Sequence, residues 1–194
     1  MLERTRFKKI AEDLKKRLKP SRYAHTVGVY HTAISLAMRY GVPLKKAAFA
    51  GLLHDCAKYG TDEEILAKCD KYGVVLTDEE RLALPILHAK LGMYYAKERY
   101  GIADEDILNA ISFHTTGRIA MSDLEKIIFV ADYIEPGRTE APRLDEIRAE
   151  AFKNMDAAIC MIYEDTLAYL KAKNRAIEST TLNAFHYYKT KIGD

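Results

Sequence analysis

The chain has 194 residues, 48% of them hydrophobic and 30% charged, the proportions of an ordinary globular protein rather than a disordered or membrane-embedded one. Lysine and arginine total 30 against 28 acidic residues, and the formal charge of +2 gives no broad attraction to a nucleic-acid backbone or an anionic membrane, so any phosphate recognition must be local. No apolar run nears the roughly 20 residues that span a bilayer, the amino terminus is too charged for a signal peptide, and Cys56, Cys69 and Cys160 lack C-x-x-C spacing, which together predict free thiols in a cytoplasmic protein.

Phe7, Ile10, Ala11, Leu14 and Leu18 recur at the three-four spacing of an amphipathic helix, which Pro20 closes. A second helix is expected from Ser21 to Tyr40 with Gly41 as its stop, and a third from Pro43 to about Lys58. Further helical patterns cover Thr61 to Tyr72, Thr77 to Leu84, Pro85 to Tyr100 and Asp104 to Phe113, with Gly73 and Gly101 as terminators. Ser122 and Glu125 form a capping box in a segment running from Met121 to Glu135, which Pro136-Gly137 ends. After Pro142 one long pattern continues through Leu144, Ile147, Ala151, Met155, Ile159 and Ile162 towards Leu170, and a last helix covers Thr181 to Tyr188. No stretch alternates as a strand, and neither a repeat nor a linker divides the chain. The expectation is an all-α single domain over residues 1–194.

The word that carries chemistry is Gly51-Leu52-Leu53-His54-Asp55-Cys56-Ala57-Lys58. Leu52 and Leu53 continue a buried pattern, so Asp55 falls near the core, where a carboxylate is costly unless paired or bound to a metal. One His-Asp pair is common by chance, and a core histidine bonded to a carboxylate is its ordinary explanation. Two companions add weight: His25 on the preceding helix, and Asp132 within the apolar run around Val130-Ala131-Asp132-Tyr133-Ile134. Imidazole and carboxylate together suit zinc, iron or manganese and leave coordination positions open, as a catalytic site requires.

A histidine, then His-Asp, then a distant aspartate on a helical chain resembles the HD-domain phosphohydrolases, over roughly residues 20 to 140, with C-terminal helices at 142–190 packing on that core. The resemblance implies His25, His54, Asp55 and Asp132 as ligands of one metal, His88 and His114 as ligands of a second, and Asp55 as the bridge. The words His114-Thr115-Thr116-Gly117, Met121-Ser122 and Ala131-Asp132-Tyr133-Ile134-Glu135-Pro136 resemble the YqeK-type branch. That likeness implies two divalent ions, iron foremost with manganese or zinc compatible, and hydrolysis of diadenosine tetraphosphate to two ADP by metal-activated water.

Lys58 lies three residues beyond Asp55 and is expected beside the reacting phosphates as a catalytic and binding cation. Arg118 and Arg138, planar forks matched to phosphate oxygens, join it as substrate-binding candidates with the hydroxyls of Thr115 and Thr116, while Gly117 is expected to permit close backbone approach. For any one of these cations a solvated surface role is the default. Glu135 is placed outside the metal shell, as an orienting partner for a ligand. His31, on another face of its helix, and His186 read as surface or structural, and Phe185, Tyr187 and Tyr188 as core packing. The partner is a nucleotide substrate, with neither nucleic acid nor membrane, and a homodimer is left open. The alternatives are an HD-type phosphatase or phosphodiesterase acting on another nucleotide, and a nucleotide-binding module without turnover.

Overall fold

The computed structural model describes residues 2–193, with side chains from residue 5. Among the described residues all regular structure is helical: α1 (Leu2–Arg17), α2 (Pro20–Tyr40), α3 (Leu44–Leu53), α4 (Asp62–Lys71), α5 (Asp78–Leu82), a 3-10 turn at Leu84–Ile86, α6 (Leu87–Glu98), α7 (Glu105–Ser112), α8 (Asp123–Ile134), α9 (Leu144–Ala151), α10 (Met155–Ala172) and α11 (Ser179–Gly193). The centre is a packed set of α2, α3, α7 and α8, with α6 against α7, α4 against α6, and α9, α10 and α11 layered behind α8. Leu36, Leu53, Ile111, Ile127 and Ile128 are almost wholly buried between these helices. Each such side chain stabilises the fold by about 1.5–3 kcal/mol relative to exposure, which fixes the helices that carry the site.

The helix ends follow local chemistry. Pro20 opens α2 at its first position, and Gly41 ends it with φ of 71°, a conformation that favours glycine because it has no Cβ. The Ser122 hydroxyl accepts from the Glu125 N–H while the Glu125 carboxylate accepts from the Ser122 N–H, the reciprocal box expected there. Thr61 and Thr77 cap α4 and α5 in the same way.

Two expected helices are shorter than their periodicity suggests. The third stops at Leu53 and not near Lys58: Cys56 N–H donates to Leu53 O at 3.0 Å and Lys58 N–H to Asp55 O at 2.9 Å, so the chain leaves the helix in three-residue turns that carry His54 and Asp55. The long pattern after Pro142 divides into α9 and α10 around Asn154, whose side chain accepts from Ala157 N–H at 3.2 Å as an N-cap. Arg39 and the Tyr40 hydroxyl of α2 donate to Phe152 O and Ala151 O, both at 2.7 Å, and so satisfy carbonyls exposed at the end of α9. The apolar spacing runs through this break because both helices face the same core. The three cysteines are buried and unpaired, as expected, and no described helix is long and apolar enough to cross a membrane.

Candidate metal centre

The site assembles from helix ends. His25 projects from α2, His54 and Asp55 follow the end of α3, His88 stands in the first turn of α6, His114 lies just beyond α7, and Asp132 belongs to the last turn of α8. His54, Asp55, His88 and His114 are each no more than 3% exposed. Helix termini leave backbone carbonyls without intrahelical partners, and two rings use them: His54 Nδ1 donates to Gly51 O at 2.8 Å and His114 Nδ1 to Ile111 O at 2.7 Å. A carbonyl only accepts, so the proton sits on Nδ1 and the Nε2 lone pair of each ring faces inward.

Those lone pairs meet other acceptors. His54 Nε2 lies 3.3 Å from His25 Nε2 and 3.3 Å from Asp55 Oδ2. His25 Nε2 is 2.9 Å from Asp132 Oδ1 and 3.8 Å from Asp55 Oδ2. On the other side, Asp55 Oδ1 is 3.1 Å from His88 Nε2 and 3.7 Å from His114 Nε2, and the two Nε2 atoms are 3.1 Å apart. His25, His54 and Asp55 thus form one donor group, and Asp55, His88 and His114 another, with Asp55 common to both. Nitrogen lone pairs and carboxylate oxygens converging without protons to share repel one another, and a cation turns that repulsion into coordination. The donor set fits a divalent metal.

Charge states agree with this fit. Burial disfavours the Asp55 carboxylate, but the histidines around it, His54 foremost, outweigh that penalty and hold the pKa well below the usual range. Burial likewise opposes ionisation of Asp132, and its hydrogen bond with His25 overrides that penalty, so its pKa is also depressed. Burial lowers the pKa of His88 to about 4 against the pull of Asp55, leaving the neutral imidazole that ligates metals. For His25, burial is outweighed by Asp132, Asp55 and Glu135, and the pKa rises. That field favours a positive occupant.

Lys58 Nζ donates to Pro85 O at 3.2 Å and lies 2.8 Å from His88 Nδ1, which is itself 2.7 Å from the same carbonyl. Burial lowers the Lys58 pKa in spite of Asp55. Thr115 Oγ1 is 3.4 Å from His88 Nε2, and Arg138 reaches Asp132 Oδ1 at 3.4 Å and Asp132 O at 2.9 Å. The rest of the Thr-Thr-Gly-Arg segment is occupied elsewhere. Thr116 donates to Gly117 O and its own carbonyl accepts from the Tyr163 hydroxyl. Gly117 has φ of 61°, and a Cβ there would overlap the Tyr163 hydroxyl, so that glycine is required by packing against α10. Arg118 pairs with the buried carboxylate of Glu125 at 2.8 Å and stacks on Phe113. His31 and His186 are exposed, and Tyr188 is fully buried with its hydroxyl accepting from Met121 N–H.

Arg22 escaped the sequence reading. Its Nη1 donates to Asp55 Oδ2 at 2.9 Å, and its one signal was a position three residues before His25, hence on the same helical face. A cleft of about 310 Å³ among Tyr40, Lys126 and Asp156 is remote from these donors. One other, of about 260 Å³ and lined by Ser21, Arg22, His25, Glu135, Gly137 and Arg138, includes a donor, and a further cavity of about 400 Å³ is lined by Leu82, Leu84, Pro85, Ile86 and Leu170 together with Asp62, Arg175, Glu178 and Thr181.

Residues 22–137 match the HD domain family. The chain is 42% identical over 177 residues to a protein of Halalkalibacterium halodurans named bis(5'-nucleosyl)-tetraphosphatase, symmetrical, covering 89% of this chain and 91% of the relative. A Bacillus subtilis protein of the same name is 40% identical over 177 residues, covering 90% and 92%. Among solved structures, one described as a predicted HD superfamily hydrolase involved in NAD metabolism, from Clostridium acetobutylicum, superposes with a TM-score of 0.91 at 42% identity, over 95% of this chain and 97% of that one.

Proposed function

The chain belongs to the HD domain family, and from that footing we propose that it hydrolyses dinucleoside tetraphosphates symmetrically, diadenosine tetraphosphate giving two molecules of ADP. The observation that carries the chemistry is Asp55, whose two oxygens face separate histidine groups; the likeness to relatives named symmetrical tetraphosphatases supports the substrate.

His25, His54, Asp55 and Asp132 are the residues to hold one divalent ion, and His88 and His114 a second, with Asp55 shared. Iron is the expected metal, and manganese and zinc suit the same donors. When bound, such ions polarise a phosphate oxygen and lower the pKa of water towards neutrality. The chain supplies the remainder. Arg22 donates to Asp55 and Lys58 lies against His88, and from there the two cations would neutralise charge developing on the phosphoryl oxygens during in-line attack. Arg138, with Arg22, lines the cleft on the His25 side and offers planar donors to the polyphosphate. The Thr115 hydroxyl donates from the His88 side. The cavity that includes Pro85, apolar apart from Asp62, Arg175, Glu178 and Thr181, is of a size to take a nucleobase, and the contact of Lys58 with the Pro85 carbonyl supports a nucleoside binding there.

The test is to incubate purified, iron- or manganese-loaded protein with diadenosine tetraphosphate and separate the products by chromatography. ADP as sole product is expected. AMP with ATP would overturn the symmetrical cleavage, and unaltered substrate would overturn the assignment in favour of another nucleotide or of binding without turnover.

A further inference from the structure

His54 and His114 lean on uncharged carbonyls at the ends of their own helices. His25 lies inside α2, where backbone carbonyls are already engaged by the helix, and its Nδ1 meets a full carboxylate, Glu135 Oε1, at 3.1 Å. Glu135 is only 4% exposed, and its other oxygen accepts from Gly137 N–H at 2.6 Å. A carboxylate buried this deeply is costly unless satisfied, and both of its oxygens are. The room for it is made by absent side chains. A Cβ on Gly28 would overlap Glu135 Oε2, and one on Gly137 would stand 3.0 Å from it. Gly28 is in the interior of α2 with ordinary helical geometry, where alanine is the better residue; the space, and not the backbone, calls for glycine.

We infer that Glu135, seated between Gly28 and Gly137, is a positioning residue for the metal ligand His25, an inference that rests on the metal-centre reading above. By accepting the hydrogen bond from Nδ1–H it fixes the tautomer and aims Nε2 at Asp55 and Asp132, and its charge makes that ring a stronger donor than His54 or His114. Partners of this kind typically change metal affinity by about 10–100-fold. Gly28 acts through Glu135, since a methyl group there displaces the carboxylate without touching any donor to the metal.

Mn²⁺ binding to the full chain, measured by equilibrium dialysis with metal analysis, tests this alongside thermal melting in chelator. Glu135→Gln keeps an acceptor for Nδ1 and loses the charge, and it should weaken one bound equivalent about 10-fold; Glu135→Ala should weaken it towards 100-fold. Gly28→Ala should show a similar loss while the metal-free protein still melts in a cooperative transition. Wild-type affinity within about twofold in both Glu135→Gln and Gly28→Ala would overturn the inference while leaving the metal centre standing. If Gly28→Ala does not fold, the near-isosteric Glu135→Gln decides alone. A wild-type protein that binds no divalent cation would overturn the metal-centre reading, and this inference with it.

Discussion

Asp55 follows the buried apolar run of α3 and is 2% exposed, yet its carboxylate contacts Arg22 and all four inward histidines. Removing its charge while keeping its shape separates coordination from packing. Asp55→Asn should reduce kcat at least about a thousandfold, a loss of about 4 kcal/mol in transition-state stabilisation, whereas His31→Ala, at an exposed position on α2, should change it by less than about twofold. Steady-state rates at saturating metal measure both, and comparable losses would mean that the donors are misassigned. The residues that sequence reading located best are those whose chemistry conflicts with their surroundings: a histidine and an aspartate after an apolar run, and an aspartate inside one. Arg22, an arginine on a helix rich in polar residues, creates no such conflict until the end of α3 is folded against it.

At the scale of elements, the C-terminal helices are tied to α8 by charge as well as by packing. Asp156 of α10 pairs with Lys126 of α8 and Lys191 of α11, each at 2.8 Å. Burial opposes ionisation of Asp156, but the two lysines outweigh it and the folded pKa lies below the ordinary 3.8. The sign follows: the stabilisation is complete above the unfolded-state value and is lost as pH falls through the lower folded value. Asp156→Asn should therefore destabilise by about 1 kcal/mol near neutrality, the upper end for partly exposed pairs, with the difference starting to shrink only as pH falls below roughly 4. Denaturant melts of both proteins across pH 3 to 7 check this; a pH-independent difference would attribute the effect to packing. The same helices show where periodicity misleads. The apolar positions of α9 and α10 keep one spacing through Asn154, and the break is visible only as a capping side chain and as carbonyls taken by Arg39 and Tyr40 from α2.

At the scale of the molecule, the candidate donors come from α2, α6 and α8 and from the chain just past α3 and α7, so a bound cation joins segments that separate on unfolding. A ligand at 100 times its Kd stabilises the native state by about 2.7 kcal/mol, and for a chain of this size that corresponds to roughly 5–10 °C in Tm. Scanning calorimetry with Mn²⁺ and then with chelator should show that interval, and an unchanged Tm would show that no cation bridges these helices.

What the sequence determined by itself was whatever depends on local chemistry. Helix class came from the three-four spacing, boundaries from Pro20, Gly41 and the Ser122 box, and the six candidate donors from polar residues set among apolar ones together with the family resemblance. What only the tertiary structure decided was direction and partnership. Arg118 turns to Glu125, Gly117 makes room for Tyr163, Arg22 reaches Asp55, and Glu135 reaches back to His25 across 110 positions of chain. Spacing along a helix fixes which residues share a face, but the neighbour that each face meets is set by the packing of segments distant in sequence.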